Sequence, residues 1–286
     1  MTDNWNKTLP KRTNLIITPK SGNDWGKNEL KYFRIGIAPV NNFEDFFNEP
    51  PTLTFSDDIN EILTFDTSNI ENLYKINCDD IESEKLSDFI KYLISATKTH
   101  INEESAVDDF TKHLLNIFKY NKGDNLVRSG QALTLGMFGK NVNAKPDICV
   151  ENIKSTIKLL IHGDKSFTNS SGSSFDIEIT ESQMVAEAIA AFQNNNRLKK
   201  SFNLHKIDSC TLPCIIMSGT FPIFYLFNIT KQLTDDIENG VIPEYDTVIN
   251  KYQIPANISI IGDVFYSNIY KKLIFQCYHS FRKFIN

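Results

Sequence analysis

Between Ala144 and Asn195 the chain sets two apolar extended stretches before one long amphipathic stretch, and this order restricts the fold more than any other feature of the sequence. Asp147 to Val150, directly after Lys145-Pro146, reads as a short strand. Thr156 to His162 contains Leu159-Leu160-Ile161 and reads as a buried strand. Ser166 to Ser174, with Ser170-Ser171-Gly172 inside it, reads as a polar loop. Glu181 to Gln193 reads as a helix rich in alanine, whose small side chains allow close packing on a sheet. Strands followed by a sheet-covering helix fit an α/β (or α+β) sandwich.

The flanking segments agree with that class. Residues 1–30 are polar and are expected to be ordered only in part. Tyr32 to Ile37 reads as a strand, and Phe43 to Pro51 as a turn with buried aromatics. Thr52 to Asp80 carries no clear pattern. Ser83 to His100 has helical spacing at Leu86, Phe89, Ile90 and Leu93. Glu103 to Tyr120 repeats Val107, Phe110, Leu114, Ile117 and Phe118 at three- and four-residue steps, so one face of that helix is apolar. Leu126 to Phe138 reads as a strand or hairpin. After a polar link from Asn194 to Lys206, Pro213 to Thr220 and Ile223 to Ile229 read as strands. Thr230 to Asn239 reads as a helix closed by Gly240, and Ile269 to Ile285 as a terminal helix.

Composition excludes several functional classes. A net charge of −5 gives no global basic footprint, so nucleic-acid binding would have to use a local groove. No apolar run approaches the length of a membrane span, and Met1-Thr2-Asp3-Asn4-Trp5 is not a secretory signal. An intracellular setting, cytoplasmic or nuclear and without a membrane, is therefore the expectation. Cys78, Cys149, Cys210, Cys214 and Cys277 are scattered, which fits free thiols in a reducing compartment. Pro213 between Cys210 and Cys214 argues against a zinc pair on one helix face. There is no nucleophile elbow, no P-loop and no dinucleotide fingerprint.

What remains is a constellation suited to divalent metal. Phosphodiester hydrolysis needs a few carboxylates to hold Mg²⁺ and a positive group near the attacking water or the developing charge. Asp147 stands at one strand and Lys165 just past the next. Side chains alternate along a strand, so the partner carboxylate of Lys165 belongs at position 163, where the chain has Gly163. Asp164 points the other way unless a bulge re-aims it, and glycine favours bulges. Glu104 lies near the edge of the apolar face of its helix, whereas Glu103, Asp108 and Asp109 read as solvated. Glu181 and Gln183 sit in the first turn of the later helix. His162, opposite in face to Lys165, reads as structural. Each of these residue types also has an ordinary use in turns, helix starts and solvated strand ends.

The ordered set resembles the PD-(D/E)xK nuclease superfamily, and more closely a group of uncharacterised fungal proteins related to it. The matching segments are Glu104 to Phe110, Lys145-Pro146-Asp147-Ile148-Cys149-Val150, Leu159 to Lys165, Gln183 to Phe192 and Gly219 to Tyr225, so the resemblance covers about residues 30–245. It implies a mixed central sheet flanked by helices, a restriction-endonuclease-like core over 96–286 with a C-terminal elaboration, and an N-terminal extension, 1–95, packed on it. It also implies Asp147 as the central metal ligand, Glu104 as the helix acid, Lys165 as the catalytic lysine and Gln183 as a glutamine that some members carry on the following helix. Asp164 or Glu181 would compensate for the acid that Gly163 lacks. The expectation is a Mg²⁺-dependent nuclease acting on nucleic acid; the alternative is a nuclease-fold binding module, or an effector-type interaction protein, without catalysis.

Overall fold

The computed structural model describes residues 16–67, 73–97, 104–164, 177–255, 265 and 267–285. Its strands are β1 (Ile35–Pro39), β2 (Asn125–Ser129), β3 (Leu133–Met137), β4 (Lys140–Ala144), β5 (Ile148–Asn152), β6 (Ile157–Asp164), β7 (Ser209–Ser218), β8 (Phe221–Thr230) and β9 (Thr247–Gln253). Its helices are α1 (Lys27–Tyr32), α2 (Phe43–Phe47), α3 (Asp57–Thr64), α4 (Glu84–Thr97), α5 (Glu104–Ile117), α6 (Ile177–Ser201), α7 (Lys231–Asn239) and α8 (Asn268–Phe281). Seven strands form one mixed sheet in the order β1-β9-β8-β7-β6-β5-β2, while β3 and β4 pair separately. The class is α/β. The parallel neighbours β6 and β7 are joined by a long crossover that contains α6, as parallel pairing requires.

Alternation along β8 sorts the two helical layers. The Tyr225 hydroxyl points towards α6 and donates to Glu181 Oε1 at 2.8 Å. Phe224, its neighbour, points the other way and meets Phe47 of α2 and Tyr278 and Phe281 of α8 edge-on. The α5 helix joins that second layer: Phe118 stacks on Tyr278 and Phe110 meets Phe265 edge-on. The core is therefore a sheet with α6 on one face and α2, α5 and α8 on the other.

Several elements differ from the sequence reading, each for a physical reason. Phe43 to Phe47 is a short helix rather than a turn; Asn42 caps it by accepting from the Glu44 N–H, and Phe43, Phe46 and Phe47 are all buried. Leu126 to Phe138 is not one hairpin. Phe138 and Gly139 both have positive φ (51° and 69°), the geometry of a tight hairpin turn, so β3 folds forward onto β4 and leaves β2 to pair with β5. The link from Asn194 onward is helical as far as Ser201. The edge pair β1 and β9 is parallel, and β9 carries no run apolar enough to mark it in the sequence.

Candidate functional site

The site assembles at one end of the sheet, where β5 begins and β6 finishes. Ile148 pairs with Ile161, so the next residues outward are Asp147 and His162. The Gly163 N–H donates to Asp147 Oδ2 at 2.8 Å, and His162 Nδ1 lies 3.6 Å from that oxygen. On the α6 face, His162 Nδ1 is 3.3 Å from Glu187 Oε1. Glu187 is completely buried, and its Oε2 has no hydrogen-bond partner among the described residues. Burial pushes the Glu187 carboxyl above its ordinary value; His162 opposes that shift and the charge of Asp147 adds to it.

A third carboxylate arrives from the opposite layer. A β-carbon on residue 163 would lie 2.8 Å from Asp108 Oδ1 and 3.8 Å from Asp147 Oδ2. Asp108 is half-buried at this position rather than solvated, whereas Asp109 faces out and pairs with Lys112 at 2.6 Å. The signal was present in the sequence. Asp108 follows Glu104 by four residues, so it lies along the same edge of the apolar face one turn nearer the sheet. Glu187 had a signal too, as the one charged residue between Met184 and Phe192, in a stretch otherwise apolar. His162, read as structural, bridges Asp147 and Glu187 because it stands directly across from Asp147.

Glu104 opens α5 and Asp164 closes β6, paired with Ser218. The pairing of β6 with β7 is unbroken from Leu160 to Asp164, so β6 has no bulge against β7 at Gly163; the register shift on the β5 side falls at Val150 and Glu151. Lys165 and the expected loop from Ser166 to Ser174 lie outside the described residues. Gln183, one turn before Glu187, donates from Nε2 to the Asn23 carbonyl at 2.7 Å and ties α6 to the 3-10 turn Gly22–Asp24.

Glu181 does not stand in for the missing acid. Its Oε1 accepts from Tyr225 and also from Lys251 Nζ at 2.9 Å. That pair borders a cleft of about 310 Å³ between β1, β9 and the start of α6, lined also by Pro39, Asn41 and Gln253.

Among the described residues no group of three or more His, Cys, Asp and Glu side chains is arranged to hold a metal ion, and no helix is long and apolar enough to cross a membrane. Asp108 and Asp147 form a two-carboxylate set. Two hard oxygen donors suit Mg²⁺, which keeps several waters and is commonly held by one or two carboxylates plus substrate phosphates. No family model matches the chain, and no curated protein matches its sequence.

Proposed function

We propose that the chain is a metal-dependent phosphodiester hydrolase of the PD-(D/E)xK type that acts on nucleic acid. One observation carries the reading: Asp147, at the start of β5, is held against the His162-Gly163 end of β6, the strand that leads directly into Lys165. Asp147 would hold the cation, and Mg²⁺ would supply Lewis-acid stabilisation of charge on the phosphate. The Gly163 N–H fixes the orientation of the Asp147 carboxylate, and His162 Nδ1 lies near the same oxygen. Lys165 would stabilise the charge that develops on the phosphate. Glu104 and Asp164 are the further acids that the resemblance assigns, and Gln183 anchors the helix that carries Glu187.

A second reading is a nuclease-fold module that binds without cleaving. Gly163 favours it, since β6 then carries no acid at the position two before Lys165, where the resemblance expects one.

The test is calorimetric titration of Mg²⁺ and Mn²⁺ into the wild type and Asp147→Ala, with cleavage of single- and double-stranded DNA and RNA followed in parallel. The hydrolase reading expects binding and cleavage in the wild type, with cleavage lowered at least ~100-fold in Asp147→Ala, about 2.7 kcal/mol of transition-state stabilisation. Wild-type binding of nucleic acid without metal uptake or cleavage would select the binding module instead.

A further inference from the structure

We infer that Asp108 supplies the carboxylate that Gly163 withholds, so that α5 rather than β6 furnishes the second acid beside Asp147. The inference rests on the hydrolase reading and assigns a residue to it.

A glycine inside a strand weakens that strand, so its presence calls for a reason. Backbone conformation is not the reason. Gly163 is absent from the positions with positive φ, and β6 continues in register through it. Space is the reason. A β-carbon at 163 would stand 2.8 Å from Asp108 Oδ1, closer than such atoms approach, and 3.8 Å from Asp147 Oδ2. An acid on β6 would begin its side chain at this very point. In this chain that volume belongs to a carboxylate oxygen that reaches in from α5. The acid stands on the helix, and the strand position facing it carries no side chain.

A second observation comes from the other layer. Glu187 is buried with one oxygen unpartnered, and through His162 it backs the same Asp147 carboxylate. Carboxylates from α5, α6 and the start of β5 thus converge on one end of the sheet. Asp108 and Asp147 carry like charge on two sides of one point, and a divalent cation held between them would lower their mutual repulsion. Asp108 and Asp147 flank the same point, whereas Glu187 lies behind His162. Asp108 and Asp147 are therefore the pair assigned to the cation, and Glu187 is a positioning residue.

The experiment compares the wild type, Asp108→Ala, Gly163→Ala, Gly163→Asp and the double variants Asp108→Ala/Gly163→Ala and Asp108→Ala/Gly163→Asp, all as the full chain. Thermal unfolding without metal reads the geometry first. Gly163→Ala is expected to lower the midpoint in the wild type and to be better tolerated once Asp108→Ala has emptied the space. Mn²⁺ calorimetry then reads the role. Affinity is expected to fall about tenfold or more in Asp108→Ala and to return in Asp108→Ala/Gly163→Asp, where the strand carries the acid again. Wild-type affinity in Asp108→Ala would overturn the assignment and leave the hydrolase reading standing. No Mn²⁺ uptake by the wild type would overturn both. Equal destabilisation by Gly163→Ala in both backgrounds would also overturn the assignment, whatever the metal does.

Discussion

Lys271 is a completely buried lysine that α8 carries into the second helical layer. Its ammonium donates to the Phe65 carbonyl at 2.6 Å and lies 3.4 Å from Thr67 Oγ1, so it pins the end of α3 to α8. Burial pulls its pKa down from 10.5 to about 8, with the charge of Asp66 opposing the shift. The linkage has a definite sign. Below about pH 8 the lysine is protonated in both folded and unfolded chains, and the desolvation cost is fully present. Between about 8 and 10.5 the folded chain releases the proton while the unfolded chain keeps it, so this residue's contribution to stability rises with pH by up to roughly 3 kcal/mol. Urea unfolding of the wild type and Lys271→Met from pH 7 to 10 should show the wild type gaining on the variant over that range; parallel curves would rule it out. Nothing in the local sequence around Lys271 marks it as buried, because its burial depends on where residues 65–67 fall. Gly163 is the contrasting case. Its oddity was legible from strand alternation alone, but the carboxylate that explains it lies on a helix some fifty residues earlier, and only packing brings the two together.

At the scale of the element, α6 shows how tertiary contacts override local preference. Asparagine is a poor helix former, and Asn194-Asn195-Asn196 reads as the end of a helix. The helix continues because two of those side chains have backbone partners outside it, on β6 and in the segment before β7. Asn195 Oδ1 accepts from the Ile157 N–H at 2.9 Å while its Nδ2 donates to the Ile157 carbonyl at 2.9 Å. Asn196 makes the same pair of bonds to Ile207. Asn195→Ala would leave both backbone groups of Ile157 unsatisfied in a buried setting. Chemical denaturation should show a loss of about 2 kcal/mol, and a loss under about 0.5 would mean that water replaces the amide. Elements whose signals are local were read closely. Gly240 ends α7 at φ 70°, as the sequence indicated, and Thr230 proves to be its cap rather than its first residue, its hydroxyl accepting from the Leu233 N–H. The sheet-spanning strand β9 and the short helix α2 were missed because each depends on partners distant in the chain.

At the scale of the whole molecule, the described residues from 16 to 97 contribute to the sheet and its core. β1 supplies an edge strand paired with β9 from Ile35–Thr247 to Pro39–Lys251. Phe47 packs against Phe224, Tyr252 and Phe281. A fragment of residues 96–286 would lack that strand and would expose these aromatics, so it should unfold without a sharp cooperative transition. Calorimetry of the fragment beside the full chain would check this, and a cooperative fragment melt would show that the core stands without β1. The sequence by itself determined the class, the order of strands before helix and the place of Asp147, because alternation and helical spacing are local and survive in any packing. Only the tertiary structure decided which acids meet. Asp108, Asp147 and Glu187 lie on three elements, and their convergence depends on sheet order and helix placement, which no local period encodes.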